Sequence, residues 1–573
     1  MSTIRVWAPS VSSIKVRAAG TDVALDADAD ADGWWTGPDL EPGTDYAFLL
    51  DGGDEAVPDP ASRRQPAGVH GPSRVYDQHT YEWHDGDWAG RDLTAAVIYE
   101  LHVGTFTAGG TFDSAIERLD HLVELGITHV ELLPVNAVNG VWNWGYDGVC
   151  WYAVHEPYGG PDGLKRFVDA AHRKGLAVVL DAVYNHLGPS GNYLPRFGPY
   201  LKTGRNTWGE LVNVEEPAVR RFIIDNAMMW LRDYHVDALR LDAVHALVDE
   251  SPTHILAELQ TATETLSAQL GRPLTLIAES DLNDPIMITP QARGGYGLAA
   301  QWDDDVHHAL HALLTGERQG YYGDFGSLGV LAKTFTSAFL HDGTWSTFRD
   351  RRHGAPIDQQ QVRGWQFVVC LQNHDQVGNR AVGDRLPELV PIELVDVAAV
   401  LLLTSPFTPM LWMGEEWAAA TRWPFFTSHP EPELAEATGK GRLAEFAGHG
   451  WDTEQMIDPQ DPDAYRAAVV DWSEAAEGAH AQVLELYRRL IALRAAEPDV
   501  RDGDLSKISL DYDEDARWLV VHRGQFRVAA NLAASSTTVP LNDGHVVLAT
   551  GDVTREATGL RLAAQSAAIV RTG

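Results

Sequence analysis

Apolar and polar positions change rhythm twice along the chain. Up to about residue 90, short alternating segments such as IRVWAP, SIKVRAA and YAFLLDG are separated by Gly, Pro and Asp, the period-two pattern of antiparallel strands. This predicts a small N-terminal β-sandwich over residues 1–90. Within it, the alternating Asp and Ala from Asp26 to Asp32 lacks the ligand spacing of a cation loop and reads as a solvated hairpin. From about residue 95, strand-length apolar runs are separated by amphipathic helical stretches, which is the signature of parallel βα units. AVIYELHV is the first strand; TFDSAIERLDHLVELGI then sets Ile116, Leu119, Leu122 and Val123 on one helical face, and THVELLPV is the second strand. AVVLDAVYNH, DALRLDAV, LTLIAES, the region around LAAQWDDD, QFVVCLQNHD and TPMLWMGEE bring the number of strands to eight. Eight such units predict an α/β fold of the (β/α)8 TIM-barrel class over residues 91–498, its last helix at about 481–495. Short strands (ARWLVVHR, FRVAANL, HVVLAT, SAAIVRT) then predict a C-terminal β-sandwich over 499–573.

The segments 136–163, 184–215 and 415–465 exceed ordinary connections and follow the carboxyl ends of predicted strands, where barrel active sites are built. They are expected to shape a substrate cleft. At the ends of the same apolar runs stand Asp181, Arg240, Asp242, Glu279, His374 and Asp375. Six polar positions converging on one rim are hard to explain as core, although a single such Asp is usually a cap or an ion-pair partner. Cleaving an acetal with retention needs one carboxylate to attack the anomeric carbon and a protonated carboxyl to donate to the departing oxygen. Asp242 and Glu279, 37 residues or about one βα unit apart, fit those two roles, with their carboxyls expected on the order of 5 Å apart. Arg240 shares the strand face of Asp242 and is expected to keep it ionised, while burial and anionic neighbours hold the proton on Glu279. Asp375 can orient hydroxyls and offset oxocarbenium charge, and His374 and His186 can bond to the same sugar.

Composition narrows the partners. The chain has 573 residues, 45% apolar and 22% charged, and 81 acidic against 44 basic side chains give a formal charge of -37. Such a surface repels nucleic acid and anionic membranes, leaving a neutral substrate unopposed. The longest apolar run, Val397 to Leu403, is too short to span a bilayer and the start MSTIRVWAPS has no apolar signal region, so a cytoplasmic protein is expected. Cys150 and Cys370 read as buried thiols, and His307, His308 and His311 lack the motif of a zinc site. No cofactor and no metal are expected. Of the 19 tryptophans, Trp142, Trp144 and Trp208 lie in the long loops and are candidates to stack on sugar faces, as is Tyr146 in WNWGYDG.

The stretches DAVYNH (181–186), LRLDAVH (239–245), LIAES (276–280) and QNHDQVGNR (372–380) resemble, in order, the four signature regions of the α-amylase superfamily of glycoside hydrolases. That resemblance implies Asp242 as nucleophile, Glu279 as acid/base and Asp375 as transition-state stabiliser. It places Arg240, His186, His374, Asp181 and Tyr146 around the cleaved glucose. PDPASRRQPAGVHGPSRV, NHLGPSGNYL, AESDLNDP and NHDQVGNR narrow the resemblance to the trehalohydrolases that act on maltooligosyltrehalose, over nearly the whole chain. This implies an immunoglobulin-like, carbohydrate-binding-module-like N-terminal domain. It also implies cleavage of the α-1,4 bond between a maltooligosaccharide and trehalose, as a step of trehalose biosynthesis. His245, where many α-amylases carry Lys, is then expected on the trehalose side. Asn185 matches a calcium-binding position of many α-amylases, but no further ligands follow it. A branching enzyme or another α-glucan hydrolase or transglycosylase would use the same residues, although branching enzymes carry DWVPGHF where this chain has DAVYNH. A glucan-binding protein without catalysis would be expected to have lost one of the three carboxylates, and all three are present.

Overall fold

The structure, a computed structural model, describes residues 1–29, 32–449 and 456–573, with side chains of 444–449 left aside. Residues 30–31, within the run Asp26 to Asp32 read above as a hairpin, and residues 450–455, within the long 415–465 segment, lie outside the described residues.

Eight parallel strands close a barrel in chain order: β1 Ile98–Leu101, β2 His129–Leu132, β3 Ala177–Ala182, β4 Ala238–Leu241, β5 Thr275–Ala278, β6 Ala300–Trp302, β7 Phe367–Cys370 and β8 Thr408–Trp412, which returns to pair with β1. Every one of the eight apolar runs read from the sequence is a barrel strand. All of their residues are buried, because the outer faces lie under helices and the inner faces fill the barrel. The interior changes character along the axis. Ile98, Val179, Ala238, Ile277, Ala300, Val368 and Met410 form an apolar cluster low in the barrel. Two residues further along, the same face of β1, β3 and β4 carries Glu100, Asp181 and Arg240, and Glu279 follows directly on the end of β5. Register does the rest: Glu131 sits beside Glu100, and Asp181 beside Arg240.

The N-terminal residues form two small sheets, one pairing Ser2–Trp7, Trp34–Leu40 and Asp26–Ala27, the other built on Ile14–Ala18 and Asp45–Leu50. At the other end a five-stranded sheet (including Trp518–Arg523, Phe526–Asn531 and Ser566–Arg571) and a three-stranded one (Thr537–Val539, Gly559–Leu562, Val553–Glu556) share a core of Val520, Ala529, Val539, Leu560, Leu562 and Val570. The helix read at 481–495 spans Gly478–Ala496.

The helix expected over TFDSAIERLDHLVELGI differs from its reading. It is broken at Glu117 and Arg118 into Phe112–Ile116 and Leu119–Leu125, and Val123 is exposed. The buried stripe is Phe112, Ala115, Leu119, Leu122 and Leu125. At about 100° per residue, Val123 falls well outside the arc centred on Leu122.

Candidate active site

The site is assembled at the carboxyl mouth of the barrel around one side chain. Arg240 is fully buried, and its guanidinium lies 4.3 Å over the ring of Trp302 at the end of β6. Its Nη1 donates to Asp181 Oδ2 at 2.8 Å and to Asp242 Oδ1 at 2.7 Å, and its Nη2 lies 3.6 Å from Glu279 Oε2. One guanidinium therefore reaches three of the predicted carboxylates, as their places on β3, β4 and just beyond β5 require.

The two central carboxyls have opposite surroundings. Asp242 accepts from Arg240 on one oxygen and from Asn185 Nδ2 (2.7 Å) on the other. Asn185 itself is oriented by His186, whose Nδ1 lies 2.7 Å from Asn185 Oδ1. Glu279 Oε2 accepts a 2.5 Å hydrogen bond from the backbone N–H of Ala243, which follows Asp242 in a left-handed conformation (φ 41°, ψ 50°). Burial is the largest influence on Glu279. Arg240 opposes it, and Asp242 and Asp375 add to it, so the carboxyl is pushed up to about 8. Two acids fed by one arginine are thus separated into one held by charge-assisted hydrogen bonds and one that keeps its proton at neutral pH.

A chain of short hydrogen bonds continues across the mouth. Tyr146 Oη lies 2.6 Å from Asp181 Oδ2 and 2.7 Å from His374 Nε2, and the phenol and imidazole rings stack. His374 is caught from behind by Glu100, which accepts from its Nδ1 at 2.6 Å and from its backbone N–H at 3.0 Å. Burial would lower His374, but Asp375 and Glu100 outweigh it and raise the imidazole to about 9. Burial, relieved in part by Arg240, raises Asp181 to about 6.

The remaining predicted residues line the rim. Asp375 sits in the first turn of the helix His374–Gly378 with 43% of its side chain exposed, 3.5 Å from His374 Nε2. His186 is buried and bonds to the backbone oxygen of Tyr146 at 2.8 Å. Trp208, 48% exposed, stacks on His186 and meets His245 edge-on. His245 lies 3.8 Å from Asp281, which Arg349 also contacts at 3.1 Å. Hydrogen bonds, ion pairs and ring contacts therefore link all ten residues into one network. Trp144, by contrast, is no platform. It is buried and stacked on Trp423, whereas Trp142 is half-buried with its ring stacked on Tyr465.

Sequence reasoning missed Glu100, the N–H of Ala243 and Asp304, a half-buried carboxyl at the start of the helix after β6 that burial and the neighbouring Asp375 push up to about 7. Only Glu100 left a signal, a lone acid inside the apolar run IYEL. His307, His308 and His311 are buried and their imidazoles lowered by that burial. Among the described residues no group of three or more His, Cys, Asp or Glu is placed to hold a metal ion, and no helix is long and apolar enough to cross a membrane. Cys150 and Cys370 are free and buried.

The whole chain is similar to known proteins. Residues 72–197 match the α-amylase catalytic domain model, and residues 503–569 match a domain of unknown function, DUF3459. A protein of Arthrobacter ramosus named malto-oligosyltrehalose trehalohydrolase is 55% identical over 99% of both chains. One of the same name from Saccharolobus solfataricus is 41% identical over 86% of this chain and 85% of its own. Among solved structures, a Salmonella typhimurium protein superposes with a TM-score of 0.91 at 36% identity, over 100% of this chain and 97% of its own.

Proposed function

We propose, from the premise that the chain belongs to the malto-oligosyltrehalose trehalohydrolase family, that it is a retaining glycosidase. It hydrolyses the α-1,4 bond between a maltooligosaccharide and trehalose and releases trehalose. The observation that carries the mechanism is the split between the two central acids. Asp242, oriented by Arg240 and Asn185, is the nucleophile on the anomeric carbon. Glu279, held protonated by burial, donates to the glycosidic oxygen as trehalose departs. The resulting carboxylate of Glu279 then takes a proton from water, which attacks the covalent intermediate on Asp242 and releases the maltooligosaccharide.

Asp375, the exposed carboxylate at the mouth, offsets the charge of the oxocarbenium-like transition state. Tyr146, Asp181, Arg240, His186 and His374 bind and orient the glucose being cleaved, and His245 and Trp208 bind sugar at the rim. Related α-1,4-glucans fit the same cleft. We assign residues 1–90 to an immunoglobulin-like module, 91–498 to the catalytic barrel and 499–573 to a C-terminal β-sandwich, and place the protein in the cytoplasm. Incubation with maltotriosyltrehalose is expected to give trehalose and maltotriose, the latter first as its α-anomer in a proton NMR time course. Products without trehalose would sink the substrate assignment, and initial β-anomer would sink retention.

A further inference from the structure

Glu100 and Glu131 lie side by side on β1 and β2, both 1% exposed, inside a barrel whose mechanism as derived so far uses neither. Their surroundings differ. Both oxygens of Glu131 are without a hydrogen-bond partner, and burial beside the Glu100 carboxylate raises it far above the usual carboxyl range. Burial thus favours the protonated form of Glu131. Both oxygens of Glu100 accept from His374, one from the backbone N–H and one from Nδ1.

The hydrogen-bond chain fixes the protons. Where Glu100 accepts on both oxygens, His374 Nδ1 carries the hydrogen toward it, and the Tyr146 hydroxyl donates to Asp181 once Asp181 is ionised. The phenol has one hydrogen, so its contact of 2.7 Å with His374 Nε2 is filled by a second imidazole hydrogen. We propose that Glu100 is a positioning residue that holds His374 doubly protonated, so that Nε2–H is fixed as a donor toward Tyr146 and the sugar. The charged and titratable groups acting on His374 are Glu100 from β1, Asp375 from its own helix and Arg240 from β4. Asp181 is reached through Tyr146, and His102 and Glu131 lie nearby. Asp375, the larger of the two acidic influences on His374, is half-buried and 3.5 Å from Nε2, while Glu100 is the fully buried counter-charge, hydrogen-bonded to Nδ1. Without it, an imidazole neutral at Nε2 would draw the Tyr146 hydrogen away from Asp181 and turn the chain around.

The inference deepens the glycosidase reading and rests on it for its kinetic consequence, but the protonation state can be read without turnover. In the full chain labelled at histidine, the His374 ring resonances, assigned by their loss in His374→Gln, are expected to remain those of an imidazolium at pH 8. Glu100→Gln, which keeps an acceptor and removes the charge, is expected to lower that titration by at least about one pH unit. Glu131→Gln is expected to leave it in place. An imidazole already neutral at pH 7 in the unaltered protein, or an unchanged titration in Glu100→Gln, would overturn the proposal. The unaltered protein decides the matter if the variant does not fold. With maltotriosyltrehalose, the rate of Glu100→Gln relative to the parent is expected near one at pH 5.5 and at least tenfold down at pH 8. An equal loss at every pH would reduce Glu100 to a packing role. Absence of turnover in the parent would count against the glycosidase reading while leaving the NMR result to stand.

Discussion

Two buried ion networks sit at opposite ends of β4, and they follow opposite rules. At the amino end, Asp237 receives Arg272 (2.7 Å) and Trp88 (2.8 Å) on one oxygen, and His172 (2.8 Å) and the N–H of Val178 (2.9 Å) on the other. His172 is shared with Asp85, which also binds His235, and Trp88 stacks on the His172 ring. Burial works against every one of these charges and loses: Asp237 and Asp85 are lowered and His172 is raised. At the carboxyl end the balance reverses for two of the acids. Arg240 Nε and Nη2 and Asp181 Oδ1 find no hydrogen-bond partner, and burial pushes Asp181 and Glu279 up. One network is satisfied and ties the segment before β1 to the base of the barrel. The other is left short of partners where a substrate must bind.

The contrast is sharpest in what each end does when broken. Asp242→Ala is expected to cost at least about 10⁴-fold in kcat on the trehalose-capped substrate, with an unchanged circular dichroism spectrum. Equal unfolding and inactivation would erase the distinction. Glu279→Gln is expected to lose about 10²- to 10⁴-fold in rate. It is also expected to raise Tm at pH 8, because it removes a carboxyl that the fold holds far above its ordinary value of 4.5. Asp237→Asn should do the converse: about 3–5 kcal/mol of stability lost, by denaturant titration, with kcat per folded molecule retained.

The smallest effects are those of pH. Glu279 must be protonated to act, so kcat/KM is expected to fall as the pH rises through about 8, and this basic limb should vanish in Glu279→Gln. For stability, a raised His172 contributes fully below about 6.5 and loses its contribution as pH rises through its folded value; lowered Asp85 and Asp237 contribute above about 3.9 and lose theirs on acidification. Glu279, with a raised carboxyl, favours the folded state less as pH climbs from 4.5 to about 8. Tm is therefore expected to decline from pH 6 to 8, less steeply in Asp237→Asn and in Glu279→Gln. A flat profile in the parent would contradict both networks.

The barrel was legible because a strand buried on both faces writes itself as a continuous apolar run, and all eight did so. The polar residues ending those runs were legible for the same reason: each interrupts an apolar pattern at a place where the core does not need it. What stayed hidden depends on tertiary approach. The Ala243 N–H is a backbone group whose direction follows from a left-handed residue, and nothing in an alanine announces that. Trp144 and Trp208 stand in similar loop sequence, yet Trp423 claims one ring and the mouth leaves the other open. Periodicity alone also ran through the break at Glu117 and Arg118, which separates two helices whose buried residues stay on one stripe.

Ala243 has a consequence for how such a molecule changes over time. Since the donor that fixes Glu279 belongs to the peptide directly after Asp242, the attack and proton delivery of the proposed mechanism share a single mechanical datum in the main chain. The left-handed alanine that creates it costs about 1–2 kcal/mol, and in exchange the spacing of the pair is insulated from the loops around it. The rim that carries Trp208, His245 and Asp281 can be recut for a different sugar while the reactive spacing stays as it was.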